Sequence, residues 1–479
     1  MSSKSTILFL SRPRLDLFYI NIIRELKDDA NVVVLLHEDS SHEFYEIDGI
    51  QVEKDTTVEE RKEFIRSMDS SSAHKITQLE NELGINCYAS NINYAIYEIF
   101  VSRYSNSTGH RFRNENIEPL FLLRSTFLKK IVAKYNVDYC FFEVVDLIAC
   151  FVLEAMSRKG LIKQVFVQSL ISVGSELRLR LTSGVNARSQ LLEHVYESAA
   201  ISENSYKWAA ESIDAAKQKD TASSYDQLKR SQCRVVPRYS FNQVVQKAQG
   251  LLSGESLLPA IIKIKNRVLA KRYFSQDIGN KKNISVFLQV VPEAGLMSEL
   301  PEFAHQEILI EQLSVYGKAG YNILVKEHPS GFGNNLPRFY KELSLLSNVV
   351  LLPPSYPTRE VLLRSEAVVV ATGTTVGLEA LMLGVPIITI GKPYYDVCKN
   401  VINVDKPKDL WDVLPDVKFD EEDQLRFFAA LYEASYSYPP YVSDAHFEEG
   451  KDSAPIVAAA LKKEITLYEK GILPCPAGS

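Results

Sequence analysis

Apolar residues in this chain fall in short unbroken runs, separated by longer stretches with helical spacing. That is the pattern of buried parallel strands alternating with helices. Ile7-Leu-Phe-Leu10 opens the series and stops at Ser11-Arg12-Pro13-Arg14. Helical spacing runs from about Leu17 to Leu26, and Asn31-Val-Val-Val-Leu-Leu36 follows. Strand, helix and strand in such close succession predict a βαβ unit and a parallel sheet. From about Val58 to Lys134 the spacing is helical, with polar breaks at 67–72 and 105–109. Val137–Phe142 and Gln164–Val167 read as strands on either side of a helix, Leu147–Arg158, which ends before a capping Gly160.

Residues from about Val185 to Lys282 are polar, charged and helical, and read as a connector. A second α/β series begins at Ile284–Leu288. It continues through a helix near Phe303–Lys318 and the runs Tyr321–Lys326, Val349–Leu352, Ala367–Ala371 and Pro386–Ile390. Strands alternating with helices at this spacing predict a Rossmann-like unit. Helical spacing returns at Gln424–Ala434 and Ala454–Lys470. The expected division is 1–282, an N-terminal Rossmann-like domain with helical insertions and connector. A C-terminal Rossmann-like domain then spans 283–420, and helices at 421–479 pack back toward the first domain.

Composition narrows the function classes. The chain has 479 residues, 54 lysines and arginines and 60 acidic residues, for a net charge of −6. Length predicts two or three domains, and the acidic balance argues against a nucleic-acid binder. None of the six cysteines forms a C-x-x-C pair, and no His/Cys cluster has metal-ligand spacing, so neither a metal nor a bound cofactor is expected. No signal-like or membrane-spanning run is present, so a cytoplasmic protein is expected.

Two segments carry chemistry. In Ala367–Gly391 a strand ends in Thr372-Gly373-Thr374-Thr375 and runs directly into a helix. Unpaired N–H groups and the helix dipole make such a start an anion site, and Gly373 permits close backbone approach. Alternatively the threonines only cap the helix. Glu379, one turn on, is placed to accept from a ribose, or else lies on a solvated face. The second segment is Lys326-Glu327-His328-Pro329, at a strand end. Proline favours extended backbone at His328 and aims the imidazole from the carboxyl end of the sheet, where ligands bind.

These segments, with Gly384-Val-Pro386 and Gly391-Lys-Pro-Tyr-Tyr395, resemble the capsule polysaccharide biosynthesis glycosyltransferases, which include retaining Kdo and related ulosonic-acid transferases. Gln289-Val-Val-Pro-Glu293 resembles that family's Gln-plus-acidic stretch. The resemblance is best over 284–395. It implies a GT-B fold, two Rossmann-like domains facing a cleft, and metal-independent transfer. The donor would be a nucleotide sugar, CMP-linked as in CMP-Kdo, held by Gln289, Glu293, Lys326, Glu327, His328, Pro329, Thr372, Gly373, Thr374, Thr375 and Glu379. The acceptor would be an oligosaccharide or lipid-linked glycan.

Retaining transfer needs a carboxylate nucleophile or a site that stabilises an oxocarbenium ion, and acceptor activation needs a base. Glu143 and Asp146 end the strand at Phe142 and are the candidates, with Asp146 alternatively a helix cap. Arg12 and Arg14 are candidates for an anionic acceptor or the donor carboxylate. Five cations among the apolar residues of 261–272 mark a candidate contact with anionic membrane, or an ordinary connector helix with a solvated basic face. Other sugar-nucleotide enzymes, a UDP-sugar transferase or an epimerase, remain alternatives, as does a non-catalytic capsule-assembly partner.

Overall fold

A computed structural model of the chain describes residues 4–12, 15–37, 40, 42–88, 117–143, 148–174, 176–183, 189–198, 200–218, 257–290, 300, 303, 305–440 and 444–475. Two sheets organise it. The first holds β1 (Thr6–Leu10), β2 (Asn31–Leu36), β3 (Ile50–Lys54), β4 (Tyr139–Phe142), β5 (Gln164–Val173) and β6 (Glu176–Thr182). The second holds β7 (Lys282–Phe287), β8 (Tyr321–Lys326), β9 (Val349–Leu352), β10 (Ala367–Val370), β11 (Ile387–Thr389) and β12 (Val401–Asn403). A last strand, β13 (Tyr436–Tyr438), returns to the first sheet and pairs antiparallel with β6.

The first sheet runs β13-β6-β5-β4-β1-β2-β3 and the second β12-β11-β10-β7-β8-β9. In each, the opening strand is flanked by its successor on one side and by a later strand on the other: β1 by β2 and β4, β7 by β8 and β10. The second sheet has the strand order of a dinucleotide-type Rossmann fold, all parallel. These are the two Rossmann-like units expected of a GT-B chain.

Burial explains the runs. β1, β4 and β10 are buried at every position, because helices cover both faces of a parallel sheet. The helix Asp16–Leu26 buries Phe18, Tyr19, Ile22, Ile23 and Leu26, the spacing of one helical face. One apolar cluster contains Phe9 and Phe141 of the first sheet together with Val368 and Leu378 of the second unit, so the two units share a core.

Some elements differ from the expected ones. The run at Gln164–Val167 continues to Val173 and turns back as β6, an antiparallel hairpin that outruns β4, which pairs only as far as Val167. Its tip is thereby carried beyond the sheet edge. The helix expected over Phe303–Lys318 is shorter, Gln306–Val315. Short helices at Pro337–Leu343 and Thr358–Leu363 were not foreseen, being too brief to show a period. Of the five cations at 261–272, Lys265, Lys271 and Arg272 are exposed, and the other two bond the loop that follows His328. Lys263 Nζ donates to Ser330 O at 3.2 Å and Arg267 Nε to Phe332 O at 2.7 Å. Ile261, Ile264 and Val268, in contrast, are about 60% exposed.

Candidate active site

Each sheet opens a crevice where its strand order reverses, at the carboxyl ends of the parallel strands. In the second sheet that point lies between β7 and β10. Gln289, just past β7, donates from Nε2 to Thr372 Oγ1, just past β10, at 2.8 Å. Its backbone is clamped by Gln306, whose Oε1 accepts from Gln289 N at 2.7 Å and whose Nε2 donates to Gln289 O at 3.0 Å.

The Thr372–Thr375 turn is held from below by Tyr395. Its hydroxyl donates to Thr372 O and accepts from Thr374 N–H, both at 3.1 Å. Gly377 makes room for this contact, since a Cβ there would lie 2.2 Å from the Tyr395 hydroxyl oxygen. Thr374 Oγ1 accepts from Gly377 N–H at 3.1 Å and caps the helix Thr375–Met382. Capping does not exclude an anion site, because the cap takes one of the N–H groups that lack a partner within the helix. Thr375 is exposed at the mouth.

His328 follows β8, on the far side of β7. Its Nδ1 accepts from Ser330 N–H at 3.1 Å. A neutral ring so bound carries its proton on Nε2, which makes Nε2 a donor. Glu327 is buried: it accepts from His328 N–H at 2.7 Å and from the Tyr340 hydroxyl, and so fixes the backbone under the imidazole. Burial raises its pKa, against hydrogen bonds that lower it. Pro329 is exposed beside the ring.

Lys326 is buried, with its pKa lowered by desolvation, and its charge lies within electrostatic reach of both Glu327 and Glu379. It donates to Pro354 O at 3.4 Å. Burial pushes the Glu379 carboxyl up to about 7, with Lys326 opposing. Among the described residues, Glu379 Oε1 and Gln289 Oε1 are buried acceptors without a hydrogen-bond donor. Lys326 thus links the Glu327–His328 segment electrostatically to Glu379 of the helix that follows the turn.

In the first sheet the reversal lies between β1 and β4, and it too is bridged. Arg12 Nη1 lies 3.5 Å from Glu143 Oε2, each side chain about one-fifth exposed. Glu143 N–H donates to the buried Tyr19 hydroxyl at 3.1 Å, which anchors the carboxylate's backbone. Arg14, Asp146 and Glu293 lie outside the described residues. Among those described, no three His, Cys, Asp or Glu side chains cluster as metal ligands, and no helix is long and apolar enough to cross a membrane.

Between the two units the β5–β6 hairpin faces the Thr372–Thr375 turn. Ser169, Ser172 and Arg180 line one wall of a pocket, and Gly373, Thr374, Thr375 and Tyr394 the other. Arg180 is 1% exposed, with its guanidinium carbon 3.6 Å from the Tyr394 ring centroid and Nη2 donating to Ser169 Oγ at 2.8 Å. Sequence reading missed Arg180, Ser172, Tyr394 and the bracing role of Tyr395. For Arg180 the signal is present in Glu176-Leu-Arg-Leu-Arg-Leu-Thr182, a strict two-residue alternation that marks a strand with both arginines on one face.

Residues 182–400 match the family model described as capsule polysaccharide biosynthesis protein. Over those residues the chain is similar to the capsule polysaccharide biosynthesis proteins. Its matched segment carries His328, the Thr372–Thr375 turn and Glu379, whereas Arg12, Glu143 and Arg180 precede it. No curated protein matches this chain. Among solved structures, it is similar to the beta Kdo 2,7 transferase KpsC of Thermosulfurimonas dismutans, at 13% identity, 74% of this chain, 95% of that chain and a TM-score of 0.38. It is also similar to Anabaena Alr3699/HepE in complex with UDP and glucose, at 12% identity, 96% and 99% coverage and a TM-score of 0.28. A third is the UDP-GlcNAc 2-epimerase of Neisseria meningitidis bound to UDP-GlcNAc, at 13% identity, 98% and 100% coverage and a TM-score of 0.21.

Proposed function

We propose that this chain is a retaining glycosyltransferase of surface-polysaccharide assembly, moving a sugar from a CMP-linked ulosonic acid donor to a glycan acceptor. The observation that carries the reading is the end of β7 and β10, where Gln289 bonds Thr372 and the Thr372–Thr375 turn is braced by Tyr395 at a helix start. The nucleotide phosphate sits at the helix start, where dipole and N–H groups favour an anion, and His328 donates to a phosphate oxygen as the sugar–oxygen bond breaks. Glu379 accepts from the ribose.

The chemical step uses the bridged crevice of the first sheet. Glu143 attacks the anomeric carbon as the nucleotide leaves with the bonding pair, and Arg12 holds the carboxylate in line. The acceptor hydroxyl, losing its proton to a base, then displaces Glu143, and two inversions give retention. The exposed Ile261, Ile264 and Val268, with Lys265, Lys271 and Arg272 beside them, rest on the anionic membrane that presents a lipid-linked acceptor.

The test is incubation with a panel of CMP- and UDP-sugars plus acceptor glycan, reading nucleotide release and product anomer. Release from a CMP-ulosonic acid with a retained anomer is the expected result. Release only from UDP-sugars overturns the donor assignment, and an inverted product overturns the Glu143 step. If no nucleotide is released and neither CMP nor UDP raises the thermal midpoint, the chain is not a transferase.

A further inference from the structure

The helix Leu257–Ala270 has two faces of different kinds. Ile261, Ile264 and Val268 lie on one and are exposed. Lys263, Asn266, Arg267 and Ala270, spaced i, i+3, i+4 and i+7, lie on the opposite one. A helix that packs inward for its apolar area alone carries residues such as leucine or valine at those positions. Here three of the four are polar, and Asn266 is 4% exposed. Burying an amide is unfavourable unless it finds a hydrogen-bond partner.

All three find partners in one short turn, directly after the His328-Pro329 pair. Lys263 Nζ donates to Ser330 O at 3.2 Å, Asn266 Nδ2 to Gly333 O at 3.1 Å and Arg267 Nε to Phe332 O at 2.7 Å. The backbones are pressed together: Gly333 has a φ of +92°, and a Cβ there would lie 2.7 Å from Lys263 O and 2.8 Å from Arg267 Cγ. The same turn holds the histidine. Ser330 N–H donates to His328 Nδ1 at 3.1 Å, and Phe332 N–H donates to His328 O at 3.0 Å. Ser330 and Phe332 therefore face both ways, with N–H groups on His328 and carbonyls on the helix. Lys263, whose pKa is lowered by partial burial and by Arg267, is also within electrostatic reach of Glu327, which accepts from His328 N–H.

We propose that Asn266 and Arg267, with Lys263 beside them, are positioning residues for His328: by gripping the carbonyls of 330–333 they keep Ser330 N–H against Nδ1, and so keep the proton of the neutral ring on Nε2. Neutral imidazole has one donor nitrogen and one acceptor nitrogen, so the bond at Nδ1 decides what Nε2 offers. The other tautomer turns a lone pair, in place of a donor, toward whatever Nε2 meets. What the ring does for the leaving phosphate rests on the transferase reading; which nitrogen carries the proton does not.

The test is NMR of the full chain carrying isotope-labelled histidine at pH 8, with nucleotide release from CMP- and UDP-sugars measured on the same samples. His328→Ala identifies the His328 signal among those of the eight histidines. Asn266→Leu and Arg267→Met keep bulk and remove the donor. Arg267 is partly exposed, so its variant stands if Asn266→Leu fails to melt cooperatively. Expected are ring-nitrogen shifts of a single Nε2–H tautomer in the wild type and averaged shifts of a tautomer mixture in each folded variant. Release should slow by about tenfold or more, as for a displaced catalytic group. Variant shifts identical to wild type overturn the proposal whatever the rates, as does a wild-type ring protonated on Nδ1. A tautomer mixture with an unchanged rate upholds the positioning and overturns the part given to His328 in the transfer. If the wild type releases no nucleotide, the transferase reading fails and the ring shifts still decide the positioning.

Discussion

Gln289 gives its side-chain N–H to Thr372 across the strand reversal of the second sheet, at 2.8 Å, and so ties the ends of β7 and β10 together. Arg12 and Glu143 span the same position in the first sheet at 3.5 Å. Each sheet is thus bridged by one side-chain pair at the point where its strand order reverses.

The turn's shape depends on Tyr395. Tyr395→Phe removes the acceptor of Thr374 N–H and the donor to Thr372 O together. Leaving buried backbone groups unsatisfied costs about 1–3 kcal/mol. The thermal midpoint should fall and the donor KM rise, measured by calorimetry and initial rates. Unchanged values for both would mean the hydroxyl does not brace the turn.

His328→Ala should leave the fold intact, because the ring makes its bond to the neighbouring loop and Glu327 holds the backbone independently. Loss of a donor to the leaving phosphate should reduce kcat by about 100-fold or more. A rate within a factor of two of wild type would remove His328 from the reaction.

Glu143→Gln keeps shape and removes the nucleophilic charge. Turnover should drop by at least ~1,000-fold with the donor constant nearly unchanged, as for an interaction made chiefly in the transition state. Stability should change by less than about 1 kcal/mol, because the Arg12 pair is partly exposed. Asp146→Asn, measured alongside, should remain active. The reverse ranking would move the nucleophile to Asp146.

Glu379 makes the molecule pH-sensitive in a defined direction. Its carboxyl titrates at about 7 when folded, above its ordinary value of 4.5. Between those values the native state keeps a proton that the unfolded chain has released, so its contribution to stability declines as pH rises across that window and levels off above it. Glu379→Gln should flatten this part of the profile in urea unfolding at pH 5, 6, 7 and 8. Ribose hydroxyls favour the ionised form, so nucleotide affinity should strengthen through pH 7 in wild type and not in the variant. Superimposable profiles would refute both statements.

The helix Leu257–Ala270 predicts membrane association. Flotation with phosphatidylglycerol vesicles at low salt should carry the wild-type chain. Replacing Ile261, Ile264 and Val268 by serine should release it, since each fully buried side chain of this kind contributes ~1.5–3 kcal/mol. Wild type that stays with the soluble fraction, or a variant that floats equally well, would show that the exposed stripe has no such role.

Runs such as Ala367–Val370 and Tyr139–Phe142 are legible because a strand covered on both faces must be apolar throughout. His328 and the Thr372–Thr375 turn are legible because proline and the strand-to-helix junction constrain their backbone locally. Arg12 and Glu143, 131 positions apart, meet only because β1 and β4 pair. The bracing by Tyr395 is equally non-local. The β5–β6 hairpin is the instructive miss: Ser169 and Ser172 interrupt the apolar run where the strand lines a pocket, although Ile171 and Val173 still belong to the core.

The return of β13 to β6 makes the order of the chain differ from the order of its parts. Helix Ala454–Glu469 packs against helix Asp16–Leu26, and Lys462 pairs with Asp29 at 2.6 Å, so the last residues complete what the first ones begin. A ribosome releases the N-terminal sheet long before its edge strand and covering helix exist. That half must wait, with β6 and the Asp16–Leu26 face uncovered, until the intervening unit has been made. Cutting the gene near residue 420 therefore yields two incomplete pieces, and co-expression of the two, rather than either alone, is the way to recover a folded molecule from fragments.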